Sequence, residues 1–183
     1  MTSFAQISKY LSVAWLVEAL AAKPELWNAN TLRTSNLASP HQQADDIWLR
    51  FNAIPANPSD WDELESVNYP ALAQLPEAEK LVRWLADRVS SERIGRVLIT
   101  RLKPGGHIAS HRDTEQHASY YERFHIVLQS NDHCMFHCGD DTLAMKPGEC
   151  WAFNNQIEHS VENNGTTDRV HLIVDMRLAK GIF

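Results

Sequence analysis

Long apolar runs are missing from this sequence, and a bilayer span takes about 20 predominantly apolar residues. The apolar stretch at residues 10–22 is too short, contains Glu18 and has no positively charged leader, so neither a membrane span nor a secretory signal is expected. Cysteine is scarce. Cys134, Cys138 and Cys150 are the only three, an odd number that supports no full disulfide framework and suits a reducing compartment. A soluble, cytoplasmic protein is expected. Basic excess is also missing: 17 Lys and Arg stand against 23 Asp and Glu, for a net charge of -6. That balance excludes a general phosphate-binding surface, so no nucleic-acid partner is expected, although a local basic pocket remains compatible with it. Internal repeats, low-complexity tracts and linkers are absent too. The 183 residues are therefore expected to form a single domain, 1–183, large enough to bury its own core.

What is present divides the chain in two. Residues 3–22 carry Phe4, Ile7, Leu11, Trp15, Leu16 and Leu20 close to a helical period, which predicts a helix that Thr2 or Ser3 would cap. Residues 26–39 read as loop with a short strand at 31–33. Residues 45–51 alternate as a strand, with Ile47, Leu49 and Phe51 on one face and Trp48 and Arg50 on the other. Residues 52–69 hold Pro55, Pro58 and many polar groups, and read as an irregular loop long enough to be functional. Residues 71–90 predict a helix or a pair of helices, with a start near Pro76 and Glu77 and a stripe of Leu81, Val82, Trp84, Leu85 and Val89.

From residue 94 the pattern changes to short β-rich runs: 95–102, 107–111, 123–129, 134–138, 142–146, 149–153, 159–163 and 169–176. Turn signals separate them, among them Pro104-Gly105-Gly106, Pro147-Gly148 and Asn163-Asn164-Gly165. Such spacing suggests a mainly β fold with flanking helices, built as a two-sheet jelly roll or small barrel.

Chemistry concentrates in the same half, since His41 is the only one of nine histidines before residue 100. In GGHIASHRD, His111 and Asp113 stand two apart and share a side if the segment is extended. His159, at the head of a late strand, supplies a second imidazole. Two imidazoles and a carboxylate form the facial triad of non-haem Fe(II) oxygenases, and can also hold catalytic zinc. Arg169 opens the strand RVHLIVDM. A buried arginine needs an anion, and its planar fork matches a carboxylate, so a dicarboxylate co-substrate is one reading and a salt bridge to Asp175 or Glu149 the other. Arg123 and His125 form a second pair on one face of ERFHIVLQ, able to bind a carboxylate or to face water. The run HCMFHC looks metal-like, but a strand sends His133 and His137 to one side and Cys134 and Cys138 to the other. His107 is a weaker substitute for His111, and His117 and His171 read as surface and sheet-packing residues.

Taken in order, PGGHIASHRD, ERFHIVLQ and KPGECWAFNNQIEHSVENNGTTDRVHLIVDMR resemble the aspartyl/asparaginyl β-hydroxylase family of Fe(II)/2-oxoglutarate oxygenases. The resemblance is close over residues 94–178 and looser upstream. It implies a cupin-like double-stranded β-helix at 94–178 that carries catalysis, with 1–93 as helical and entry-strand support. It also implies that His111, Asp113 and His159 bind iron, that Arg169 grips the distal carboxylate of 2-oxoglutarate, and that Arg123 and His125 help to hold 2-oxoglutarate or substrate. With O2 as the third participant, the implied activity is hydroxylation of a C–H bond in an amino-acid or a peptide or protein side chain. Family members that act on aspartyl side chains can carry a second arginine two positions before Arg-x-His, where this chain has Tyr121. They can also lack the metal carboxylate, which is present here as Asp113. Both departures weaken the case for an acidic peptide substrate. The residues alone also admit a cupin-like metalloenzyme without 2-oxoglutarate, or a non-catalytic ligand-binding jelly roll. Arg169 and Arg123 favour the oxygenase over the first, and the complete triad speaks against the second.

Overall fold

A computed structural model describes residues 3–183 of the chain. In order, its elements are β1 (Phe4–Ser8), α1 (Ala14–Ala21), α2 (Leu32–Ser35), β2 (Ala44–Phe51), β3 (Val67–Asn68), α3 (Pro70–Gln74), α4 (Pro76–Val89), β4 (Ser91–Leu102), β5 (His107–His111), α5 (Gln116–Tyr120), β6 (Glu122–Gln129), β7 (Cys134–Cys138), β8 (Asp141–Leu143), β9 (Cys150–Phe153), β10 (His159–Asn163) and β11 (Arg169–Leu178). The large sheet runs β1-β9-β6-β11-β4-β2-β3 and the small one β5-β10-β7-β8. Strands β4 to β11 are thus dealt between two antiparallel sheets, which is the double-stranded β-helix that the sequence led us to expect.

Strand alternation sorts the residues into layers. On β11, Val170, Leu172, Val174, Met176 and Leu178 join the core between the large sheet and the helices. The intervening Arg169, His171, Ile173 and Asp175 therefore face the other way, into the barrel. On β6, Phe124, Ile126 and Leu128 join the same helix-side core, which turns Arg123, His125 and Val127 inward. The inner core is smaller and holds Leu102, Ile108, Val127, Phe136, Phe153 and Val161. Ile108, Phe136, Phe153 and Val161 from it line the same cavity as the inward polar side chains.

The helices cover the large sheet. α4 starts on Pro76 with Glu77 and Glu79 in its first turn, where acidic groups suit the helix dipole, and it ends on Ser90 in the left-handed region at φ 52. Ala78, Leu81, Val82 and Leu85 are its buried face, and Trp84 and Val89 pack at the margin.

Three expectations are corrected. Residues 3–22 are not one helix, because the first part is β1, paired with β9 in the register Phe4↔Phe153 and Ala5↔Ala152. Alternation explains the dual reading: Ala5 and Ile7 pack on the helix-side core, while Phe4 packs on the inner one, edge-on to Phe136 at 5.4 Å. Pairing satisfies the open edge of β9, and that outweighs a local helical period. Only the second part, α1, is helical; Thr2 lies outside the described residues. Between them Leu11 donates to the Gly148 carbonyl at 2.8 Å. Gly148 has φ +83, and a Cβ there would stand 2.8 Å from the Leu11 oxygen, so this turn requires glycine. Second, residues 31–33 belong to the helical turn α2 and its approach, not to a strand. Third, Phe51 leaves the face of Ile47 and Leu49. The register slips between Trp48 and Arg50, and this bulge brings Phe51 to the Trp48 side, stacked on that ring at 3.9 Å.

Candidate active site

His111 and His159 meet because β10 lies beside β5 and the register sets the two residues directly opposite each other. Their ring centroids are 4.3 Å apart. Asp113 follows the end of β5, and its backbone N–H donates to the Asn155 carbonyl at 3.1 Å, which fixes the loop. One ligand atom from each of His111, Asp113 and His159 lies within 4.8 Å of the others, the one such group found among the described residues.

Both imidazoles are prepared in the same way. His111 Nδ1 lies 2.8 Å from the Ala109 carbonyl and His159 Nδ1 lies 2.9 Å from the Ile157 carbonyl. A carbonyl only accepts, so each Nδ1 carries the hydrogen and each Nε2 keeps its lone pair for a metal. His111 Nε2 is buried without a hydrogen-bond partner. Burial brings His159 down to about 4, so it is neutral, the form that ligates. Burial pushes the Asp113 carboxyl up, but Arg123, His111 and His159 more than reverse this and hold it well below the usual carboxylate range. Two neutral imidazoles and one carboxylate with an orphaned nitrogen fit a divalent ion such as Fe(II).

Arg169 lies deeper. It is 2% exposed, and none of its partners among the described residues is a carboxylate. Nη2 donates to His171 Nδ1 at 3.0 Å and approaches His125 Nδ1 at 3.5 Å, while Nη1 has no partner. Burial lowers Arg169 to about 10. Burial also takes His125 and His171 well below the ordinary imidazole range, with Arg169 adding to the effect. Neither salt-bridge alternative is realised. Asp175 is taken by Arg123 and His117, and Glu149 bonds to Trp151 Nε1, Gln6 and the Lys146 backbone. A buried cation braced by neutral rings and aimed at a cavity fits the carboxylate of a diffusible acid.

Arg123 stands directly across from Asp175 in the β6–β11 register. Its Nε and Nη2 donate to the two Asp175 oxygens at 2.8 and 3.0 Å, and Nη1 donates to Asp113. His117 Nε2 lies 2.9 Å from the same carboxylate, and its Nδ1 2.8 Å from the Glu63 carbonyl. The reading of His117 as a surface residue is therefore corrected, since it is 1% exposed and bonded to Asp175; His171 is buried in the sheet, as its sheet-packing reading had it, and also bonds Arg169. Tyr121 is buried as well, and its hydroxyl donates to the Leu64 carbonyl at 2.8 Å. The place of a second arginine is thus filled by an anchor for the 52–69 loop. His107 is exposed and its backbone bonds to Gln43; His137 bonds outward to Thr142 and Glu162 while Cys134 and Cys138 are buried. Sequence reasoning missed His41, edge-on to His111 at 5.1 Å, which no local pattern marks. It also passed over Asp175 as a partner of Arg123, although stepping by two from Arg169 along β11 reaches it.

All six sequence-nominated residues line one cavity of about 590 Å³. A model of the aspartyl/asparaginyl β-hydroxylase family matches residues 17–178. The chain belongs to this family. The chain is also similar to an L-proline cis-4-hydroxylase of Rhizobium meliloti, 31% identical over 119 residues. The match covers 62% of this chain and 41% of that protein, so the chain spans about two-fifths of its relative's length. Solved structures share the family fold. A 2OG-Fe(II) oxygenase family oxidoreductase from Burkholderia pseudomallei superposes with a TM-score of 0.62 at 16% identity, over 96% of this chain and 84% of that one. A prolyl-4-hydroxylase from Pseudomonas putida gives 0.54 at 16% identity, over 97% and 94%. Among the described residues, no helix is long and apolar enough to cross a membrane.

Proposed function

We propose that this protein is an Fe(II)/2-oxoglutarate-dependent dioxygenase that hydroxylates a C–H bond of an amino-acid or peptide side chain. The observation that carries the reading is Arg169: a buried guanidinium without an anion, lining the cavity that also holds the His-Asp-His group. A ferrous ion with 2-oxoglutarate and O2 supplies the oxidising chemistry, in which decarboxylation to succinate and CO2 is coupled to insertion of one oxygen atom into a C–H bond.

The chain's own residues perform the rest. His111, Asp113 and His159 would hold the metal, which would supply the oxidising chemistry. Arg169 binds the distal carboxylate of 2-oxoglutarate, and His171 keeps the guanidinium oriented through its 3.0 Å bond. His125, whose Nε2 is buried and unpartnered, lines the same cavity and can donate to or accept from the acid there. Arg123 holds Asp113 from behind and still has N–H groups to offer co-substrate or substrate. Phe136, Phe153 and Val161 close the inner wall and exclude water around the reacting centre. The substrate name carried by the proline-hydroxylating relative favours a small amino acid or peptide. A cytoplasmic setting agrees with three buried free thiols, of which burial pushes Cys150 up to about 12.

The test is succinate production from 2-oxoglutarate with Fe(II), read together with mass spectrometry of candidate amino acids and peptides for a gain of one oxygen. Asp113→Ala is expected to keep the fold and to lose at least about 100-fold in succinate production, as loss of a metal ligand removes the open facial site. Unchanged turnover in that variant would show that the carboxylate is not a needed ligand.

A further inference from the structure

Nine buried side-chain nitrogen and oxygen atoms have no hydrogen-bond partner among the described residues, and six of them belong to residues lining the one cavity. Orphaned buried polar atoms are costly, so their clustering marks groups kept for a ligand. His111 Nε2 is accounted for by the metal, and Arg169 Nη1 and His125 Nε2 by the co-substrate. His41 Nδ1 lies beside His111. Two remain: Glu63 Oε2 and Trp48 Nε1.

These two are chemically opposite. A carboxylate oxygen only accepts and an indole N–H only donates. Both are held in place. The backbone around Glu63 is pinned at four successive carbonyls: Asn52 Nδ2 donates to Asp62 at 2.8 Å and to Glu65 at 2.9 Å, His117 bonds Glu63, and Tyr121 bonds Leu64. Asn52 is itself held by Arg96 Nε at 2.7 Å. Trp48 is 4% exposed, stacked on Phe51 and edge-on to Tyr69 at 5.4 Å. Three other arginines of the cavity wall are engaged elsewhere. Arg33 pairs with Asp46, Arg96 with Glu115, and Arg123 with Asp113 and Asp175. Glu63 forms no ion pair among the described residues, not even with Arg112 on the same wall, and its buried Oε2 is open to a cation brought by a ligand.

We infer that Glu63 and Trp48 form the substrate-recognition subsite, Glu63 accepting from a free ammonium and Trp48 donating to a carboxylate oxygen, so that the substrate is a small amino acid with an unblocked amine. An interior residue of a peptide lacks that ammonium. A free α-amino acid carries both groups on one carbon. This inference rests on the oxygenase reading above. It adds to it the residues that select the substrate and the requirement for a free amine.

Calorimetry on protein loaded with Mn(II) and 2-oxoglutarate tests it, using the common L-amino acids, L-proline among them, and their N-acetyl derivatives. At least one free amino acid is expected to bind, with its N-acetyl form about 10- to 100-fold weaker, the range for a lost charge-assisted hydrogen bond. Glu63→Gln is expected to weaken the free amino acid to a similar degree, with Glu63→Asp restoring part of the loss. Trp48→Phe keeps the aromatic stack and is expected to lose about tenfold. The inference is overturned if no free amino acid binds, if N-acetyl forms bind as well, or if Glu63→Gln leaves affinity unchanged. The visible band formed anaerobically by Fe(II) and 2-oxoglutarate separates the two claims. Its presence in a wild type that ignores amino acids rejects this subsite alone, and its absence rejects the oxygenase reading itself.

Discussion

Arg169→Met is expected to lower 2-oxoglutarate affinity by about 100- to 4,000-fold, since removing one partner of a buried charge pair costs about 3–5 kcal/mol. The same substitution is expected to raise the melting temperature of the protein free of co-substrate. Arg169 is among the largest fully buried side chains, and its charge is met only by neutral imidazoles. Methionine removes that desolvation and fills similar space, worth about 1–3 kcal/mol, or a few degrees in a chain of this size. Saturating 2-oxoglutarate reverses the order, because only the wild type then gains binding free energy in the folded state. Thermal denaturation with and without 2-oxoglutarate measures both effects. A variant less stable than wild type in the absence of the acid, with affinity reduced less than tenfold, would mean that the guanidinium has another partner.

Asp175→Asn is expected to have the largest effect on stability. Its carboxylate is 1% exposed and accepts from Arg123 twice and from His117 once. An amide there leaves Arg123 with a poor partner in a dry site, a loss of about 3–5 kcal/mol. Burial raises the Asp175 carboxyl, but Arg123 and His117 overcome it and hold the group far below the ordinary range. The folded value is thus lower than the unfolded one, about 3.9. The stabilisation is complete well above that pH and is lost as pH falls through it toward the folded value. Wild type should therefore lose its advantage over Asp175→Asn below about pH 4, and keep it in full at pH 6 to 8. Metal affinity should fall as well, by about 10- to 100-fold, because Arg123 no longer steadies Asp113. Melting curves from pH 3 to 8 check the first claim and Mn(II) titration the second. Equal melting temperatures at pH 7 would remove Asp175 from the account.

The C-terminal half was legible because its strands alternate cleanly. RVHLIVDM shows an apolar helix-side face and a polar inner face in sequence, and β11 realises both. His111, Asp113 and His159 could be nominated because ligand types are few and their spacing is distinctive. The N-terminal part was harder. Phe4, Ile7 and Leu11 fit a helical period, yet Phe4 and Ile7 serve two different cores from a strand whose partner lies almost 150 residues away in β9. No local window carries that pairing. The bulge that moves Phe51 is likewise set by β4, not by the residues around it. Glu63 and His117 were invisible for another reason. Their role depends on a long loop folding back to the barrel through side-chain contacts with backbone carbonyls, and carbonyls leave no mark on a sequence.

The most direct test of the central claim is anaerobic titration of the protein with Fe(II) and 2-oxoglutarate, followed by visible absorption. The account predicts a metal-to-ligand charge-transfer band that saturates at one equivalent of each in the wild type, is absent in His159→Ala, and needs far more 2-oxoglutarate in Arg169→Met. A folded wild-type protein that forms no band, or an Arg169→Met variant that titrates like the wild type, would contradict it.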